Sequence, residues 1–213
     1  FLLQTNSDGS APTTGTLSSA TGNTGIGKGV FSSLTSGTYN DVIGYNAGDA
    51  LTSGGNNVLM GKRAGGDLTE GDYNVFIGAT AGDKIVDTDH NVGIGYESFG
   101  GSNTGNAQKN VGVGSFTLSS ISSGDNNVTA GYYAGFGITT GARNIAIGME
   151  SLDASDAEND NIAIGYQALT TNLAGGEYNV AIGNYAGKVM TGTGADNNTL
   201  VGYNSGVAVT SGG

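Results

Sequence analysis

Hydrophobic and polar positions repeat along this chain with a period close to seventeen residues. The anchor is the unit Asn-x-x-x-Gly, with its asparagine at Asn23, Asn40, Asn57, Asn74, Asn91, Asn110, Asn127, Asn144, Asn161, Asn179 and Asn198. Successive separations are 17, 17, 17, 17, 19, 17, 17, 17, 18 and 19 residues. The fullest copies read Asn74-Val-Phe-Ile-Gly78, Asn144-Ile-Ala-Ile-Gly148, Asn161-Ile-Ala-Ile-Gly165 and Asn179-Val-Ala-Ile-Gly183. With that glycine as position 0, position −1 is apolar in every copy, from Ile26 and Ile43 through to Ile182 and Val201, and position −3 is usually Val or Ile. The two share parity, so in a strand they face the same side. Position +3 is small or Val (Ala47, Ala64, Ala81, Ser98, Ala134, Ala168, Ala186, Ser205), and position +7 is often apolar (Leu34, Leu51, Leu68, Ile85, Ile121, Ile138, Met190, Val209). A second glycine follows near position +10, as at Gly37, Gly54, Gly71, Gly105, Gly124, Gly141 and Gly175.

One repeat therefore predicts a short strand, a glycine corner, a second strand or extended segment, and a turn. Seventeen residues are too few for a βαβ unit, which needs about 30. They suffice for one coil of a narrow solenoid whose like residues stack at the strand spacing of ~4.8 Å. The expected fold is all-β: a parallel β-solenoid or β-roll of about eleven coils of 17–19 residues over 23–213, preceded by a junction or linker over 1–22. Such a rod would be about 50 Å long. An asparagine amide can donate to one neighbouring copy and accept from the other, so the eleven asparagines predict a structural ladder. The longest stretch without glycine, Met149–Ile164, predicts a loop that bulges from the rod or forms a short helical turn.

Composition sharpens this picture. The chain has 41 Gly and 1 Pro among 213 residues, and no Cys or Trp. So much glycine disfavours helices. Each coil offers about three inward apolar side chains, several of them only Ala, and ordering the backbone opposes folding by roughly 1–2 kcal/mol per residue. Association along the rod axis would bury a second apolar face, and the small column at +3 suits close packing between chains. The formal charge is −11 and Lys and Arg do not cluster, so phosphate-driven nucleic-acid binding lacks its main term. No apolar run approaches ~18 residues, so membrane insertion is not expected. Absent cysteine removes disulfides, thiolate catalysis and Cys-ligated metals, which fits an extracellular or virion protein.

Candidate chemistry is sparse. The stretch from Gly22 to Gly29 approaches a phosphate-binding loop, but no Ser or Thr follows Lys28, and the repeat explains each of its glycines. His90 is the single histidine and stands where other copies have Tyr39, Tyr73 or Tyr178. Acidic residues cluster at Asp83, Asp87 and Asp89 and at Asp153, Asp156, Glu158 and Asp160. Paired carboxylates can hydrolyse glycosides or hold a cation, yet neither stretch follows a known calcium-loop spacing, and such runs are usually solvated turns. Tyr45, Tyr96, Tyr132, Tyr166 and Tyr203 each follow a corner glycine. A repeated apolar ring with a polar tip marks a candidate receptor-binding column. A threonine column (Thr35, Thr52, Thr69, Thr139, Thr191, Thr210) raises ice binding, although Val86 and Asp156 interrupt it. No catalytic residue, metal or cofactor is expected.

The block Asn-Val-Ala-Ile-Gly followed by x-x-Ala or x-x-Ser resembles the head repeat of YadA-like trimeric adhesins, a left-handed parallel β-roll that trimerises. With Gly44-Tyr45-Asn46-Ala47 and Gly165-Tyr166-Gln167-Ala168, the longer unit looks more like repeats in bacteriophage tail fibres. The opening Phe1-Leu2-Leu3-Gln4-Thr5-Asn6-Ser7-Asp8-Gly9 also looks like the junction before such fibre segments. The resemblance implies a homotrimeric, non-enzymatic fibre segment at the virion surface, part of a longer polypeptide, that binds a host cell-surface glycan or protein. The alternatives it leaves open are the head of an extracellular bacterial surface adhesin and a glycan-degrading tailspike.

Overall fold

The computed structural model describes residues 19–101, 106–154, 156–172, 176–190 and 195–209. Most of the junction expected over 1–22 lies outside them, as do Gly105, Gly175, Thr191 and Thr210. The described chain contains no helix. Its strands are β1 (Thr24–Ile26), β2 (Asp41–Ile43), β3 (Val58–Met60), β4 (Val75–Ile77), β5 (Val92–Ile94), β6 (Val111–Val113), β7 (Val128–Ala130), β8 (Ile145–Ile147), β9 (Ile162–Ile164), β10 (Thr171–Asn172), β11 (Val180–Ile182), β12 (Val189–Met190), β13 (Thr199–Val201) and β14 (Ala208–Val209). Eleven of them form one parallel sheet in the order β1 to β9, β11, β13. Register never slips: Val58 pairs with Val75, Val75 with Val92, Val92 with Val111. This is a parallel β-solenoid, each coil laid on the one before.

Among the described residues, the second segment of the repeat is a strand in the last coils, where β10, β12 and β14 form a three-stranded sheet. Elsewhere the chain turns tightly, and one carbonyl serves several donors. Thr52 O accepts from the N–H groups of Thr35, Ser36 and Gly37 at 2.9, 3.0 and 3.2 Å. Where the asparagine separations lengthen to 18 and 19 residues near the C-terminal end, the extra residues leave room for a second ladder.

Asparagine closes every coil. Asn57 donates from both its backbone N–H and its Nδ2 to Asn40 Oδ1, each at 3.0 Å, and from Nδ2 to Gly71 O at 2.8 Å. Asn127 repeats this with Asn110 Oδ1 and Gly141 O, and Asn179 continues the ladder on Asn161 Oδ1. Asn40 through Asn179 are fully buried. An unpaired amide there would forfeit about 1–3 kcal/mol. The corner glycines are equally constrained. Gly44 has φ +145°, and a Cβ on it would lie 2.2 Å from Gly61 O, so coils approach closely only because that position carries no side chain.

The interior is built from positions −2, +3, +4 and +7. Ala47, Ala64, Ala81, Ala134, Ala168 and Ala186 at +3 are fully buried within their own chain. That overturns their expected role between chains: they fill the narrow inner angle of the coil. Positions −2 and +4 share one space and divide it. Where −2 is Val42, Leu59 or Phe76, position +4 is Gly48, Gly65 or Gly82; where −2 is Gly25, Gly93, Ala146 or Ala163, position +4 is Phe31, Phe99, Leu152 or Leu169. A Cβ on Gly65 would sit 2.8 Å from Leu59, and one on Gly82 2.5 Å from Phe76. At β11 both positions are small, Ala181 and Gly187, and Leu169 and Leu200 reach in from the flanking coils.

Positions −1 and −3 point outward on the same strands. Val58, Val75, Val92, Val111, Val128, Ile145, Ile162 and Val180 form one column, and Met60, Ile77, Ile94, Val113, Ala130, Ile147, Ile164 and Ile182 its partner. Ile26 and Val113 are each 43% exposed and Ile147 is 41% exposed. The stretch 149–164 keeps the ordinary coil path instead of bulging: Asn144 Nδ2 donates to Glu158 O at 2.8 Å, and no helical turn interrupts its described part.

Candidate functional site

The tyrosines at +1 line one edge of the rod beside the corner glycines. Tyr45, Tyr96, Tyr132 and Tyr203 are exposed, and Tyr166 is half-buried. They do not form one continuous surface; aromatic residues at +2 gather them into two groups. Phe116 lies between Tyr96 and Tyr132, edge-on to both, with ring centroids 5.3 and 5.9 Å away. Tyr133 stacks on Phe116 at 4.7 Å and 25° and meets Phe136 at 4.9 Å. In the second group Tyr185 bridges Tyr166 and Tyr203 at 5.1 and 5.9 Å, with Lys188 Nζ 5.0 Å from its centroid. Tyr45 takes part in neither group.

Phe116, Tyr133 and Tyr185 were not singled out in the sequence. A usable signal existed: they occupy +2, the column that holds Asn46 and Asn204. That column turns in the left-handed region, with φ +50° at Asn46, +62° at Phe116, +59° at Tyr133 and +63° at Tyr185. Asparagine adopts this conformation readily, whereas a bulky aromatic does so at roughly 1–2 kcal/mol.

The first group borders one of the two longest coils of the rod. Between Asn91 and Asn110 the coil is two residues longer than the seventeen-residue norm. Gly100 and Gly101 fall beside Ser119 and Ser120 of the next coil, and an open cleft of about 420 Å³ results, lined also by Glu97, Phe116, Tyr133 and Phe136. Ser119 Oγ donates to Glu97 O at 2.7 Å. The hydrogen bond to the Glu97 carboxylate holds the Tyr96 phenol above its ordinary range, and Glu97 charge adds to the effect. Burial, followed by neighbouring Tyr132, pushes the Tyr133 phenol the same way. Both phenols are neutral donors at neutral pH.

The remaining sequence candidates are absorbed by the architecture. His90 stacks on Tyr73, with centroids 4.9 Å apart. Asp89 Oδ1 accepts from Asp72 N, and Asp87 Oδ1 from Thr69 Oγ1 and Glu70 N. Asp83 pairs with Arg63 at 2.9 Å, and Lys84 lies 3.6 Å from Asp67. Arg143 and Asp160 form a two-bond ion pair at 2.7 and 2.6 Å. Glu158 Oε2 accepts from Asp156 N and Ala157 N. Asp153 is the exception: its Oδ1 is buried without a hydrogen-bond partner, and burial together with Glu150 pushes its carboxyl up to about 6. Among the described residues, no three His, Cys, Asp or Glu side chains gather as a metal site. The threonine hydroxyls turn into the coil stack, as Thr35 Oγ1 donates to Thr52 O and Thr52 Oγ1 to Thr69 O. Among the described residues they form no free lattice of the kind ice binding requires. Gly25 and Gly27 of the phosphate-loop-like stretch lie in β1 and at its corner, and no helix follows them.

Among the described residues no helix is long and apolar enough to cross a membrane. Comparison with protein-family models, curated proteins and solved structures finds no match to the chain.

Proposed function

We propose that this chain is a structural segment of a virion tail fibre, which assembles as a homotrimer, projects from the particle surface and mediates attachment to a host-cell glycan or protein. The observation that carries the reading is the outward apolar stripe. It is two columns wide, unbroken by a charged residue from β3 to β11, and about 40 Å long at the strand spacing. Apolar columns kept in register on an outer face mark an association surface. Three copies packing their stripes around a common axis bury them and give a stiff rod. The aromatic edge then remains for a receptor, and three copies of each weak contact supply avidity. The fold carries load and displays a surface, and the reading assigns it no catalytic step.

Light scattering coupled to size-exclusion chromatography tests assembly. The expected mass is three times the 21.1 kDa chain, and Ile94→Asp with Ile147→Asp is expected to reduce it to one. A monomeric parent chain overturns the trimer. Attachment is tested by adsorption: purified protein is expected to compete with the particles that carry it for host cells. Unchanged adsorption at saturating protein counts against the attachment role.

A further inference from the structure

We infer that the cleft bordered by Glu97, Phe116, Tyr133 and Phe136 binds a neutral pyranoside, a sugar ring without carboxylate, sulfate or phosphate. The inference takes the attachment reading one step further and rests on it only for the cellular origin of the sugar. The size fits first: about 420 Å³ lies within the range of small-ligand sites, roughly 300–1,000 Å³. The backbone makes part of the cleft. A Cβ on Gly101 would stand 1.5 Å from Ser119 O, so that wall has no place for a side chain. The opposite side is aromatic. Phe116, Tyr133 and Phe136 are half-buried and held against one another by ring contacts at 4.7 and 4.9 Å. Such rings are rigid and lose little side-chain freedom on binding. The C–H face of a pyranose packs on such an aromatic lining.

Polar groups at the rim select among sugars. The Glu97 carboxylate lines the cleft, and a carboxylate has about four acceptor positions, enough for two ring hydroxyls. The same negative charge, on a chain of net charge −11, repels anionic sugars. Among the described residues no cation lines the cleft to offset it.

Saturation-transfer NMR on the intact protein tests this with methyl β-D-glucopyranoside, methyl β-D-galactopyranoside and methyl α-D-mannopyranoside, with 3′-sialyllactose as the anionic probe. At least one neutral glycoside is expected to bind with a millimolar Kd, and the sialylated probe at least about ten-fold more weakly. Phe116→Asn with Tyr133→Asn is expected to weaken neutral-sugar binding about ten-fold or more. That variant is expected to keep the fold, because asparagine occupies the same column at Asn46 and Asn204, and its melting curve, read beside the binding, separates a lost site from a lost fold. Tyr185→Asn, the equivalent change in the other aromatic group, is expected to leave binding unchanged. Silence from all three neutral glycosides, equal binding of the sialylated probe, or full binding by the double variant overturns the inference. If the double variant still competes for host cells as the parent does, the cleft assignment fails while the attachment reading stands.

Discussion

In the coils that carry β2, β3 and β4, the interior is filled from the strand by Val42, Leu59 and Phe76, and the turn four residues past the corner is Gly48, Gly65 or Gly82. In the coils of β8 and β9 the strand contributes only Ala146 and Ala163, and Leu152 and Leu169 come in from the turn. Both arrangements close the interior; they differ in where the backbone is strained. Glycine takes the left-handed turn freely at Gly65, φ +59°. Leu152 and Leu169 must adopt φ +50°, which works against the coil by about 1–2 kcal/mol each. A conserved outline therefore depends on the sum of two side chains, and the way that sum is divided sets the local stability.

The strongest test removes a whole contribution. Phe76→Ala leaves its coil small at both positions, and the expected loss is about 3–5 kcal/mol in guanidinium unfolding. A loss below about 1 kcal/mol would mean the two positions do not share a space. Next comes exchange. Ala146→Leu alone overfills the coil and Leu152→Gly alone empties it, so each destabilises; together they are expected to recover. The double-mutant cycle should give a coupling near 2 kcal/mol, and additivity would contradict the shared-volume account. Third, Gly65→Ala puts a side chain into a left-handed turn 2.8 Å from Leu59. The expected destabilisation is about 1–2 kcal/mol by calorimetry.

The smallest effect lies beside Leu152. Asp153 titrates near 6 in the fold against an ordinary 3.8, so the native state holds its proton more tightly than the unfolded chain. Stability from this group is full below about pH 3.8, falls as pH rises to about 6, and stays low above it. Asp153→Asn should therefore stabilise at pH 7 by up to about 1 kcal/mol after solvent screening, and change little at pH 3.5. Melting curves at the two pH values check this.

Much of this organisation was legible in the sequence, because the ladder asparagines and corner glycines have one task each and cannot be exchanged. The −2 column was not. It reads Gly, Val, Leu, Phe, Gly, Gly, Thr, Ala, Ala, Ala, Leu and looks unordered until set against +4. Parity correctly paired −1 with −3, but parity does not say which face is inside. The conspicuous Val and Ile columns proved to be the outer ones. Of the candidate site, the tyrosines at +1 could be found by their regularity. Phe116 and Tyr133 stand out only as aromatics in a +2 column that also holds Asn46, Arg63 and Thr80, and the ring contacts that gather the tyrosines around them are not written in the sequence. The cleft lies where the Gly100-Gly101 pair of a coil two residues longer than the norm meets Ser119 and Ser120 of the next coil, a juxtaposition visible only in three dimensions.

The asparagine ladder runs one way. Each Oδ1 receives its protons from the asparagine about seventeen residues later, as Asn74 does from Asn91 and Asn144 from Asn161. During synthesis each of these side-chain acceptors is therefore made before its donor. A nascent chain can wind onto a template already in place, and no strand waits for a distant partner. Despite being all-β, the molecule has the short loop closures of a fast folder.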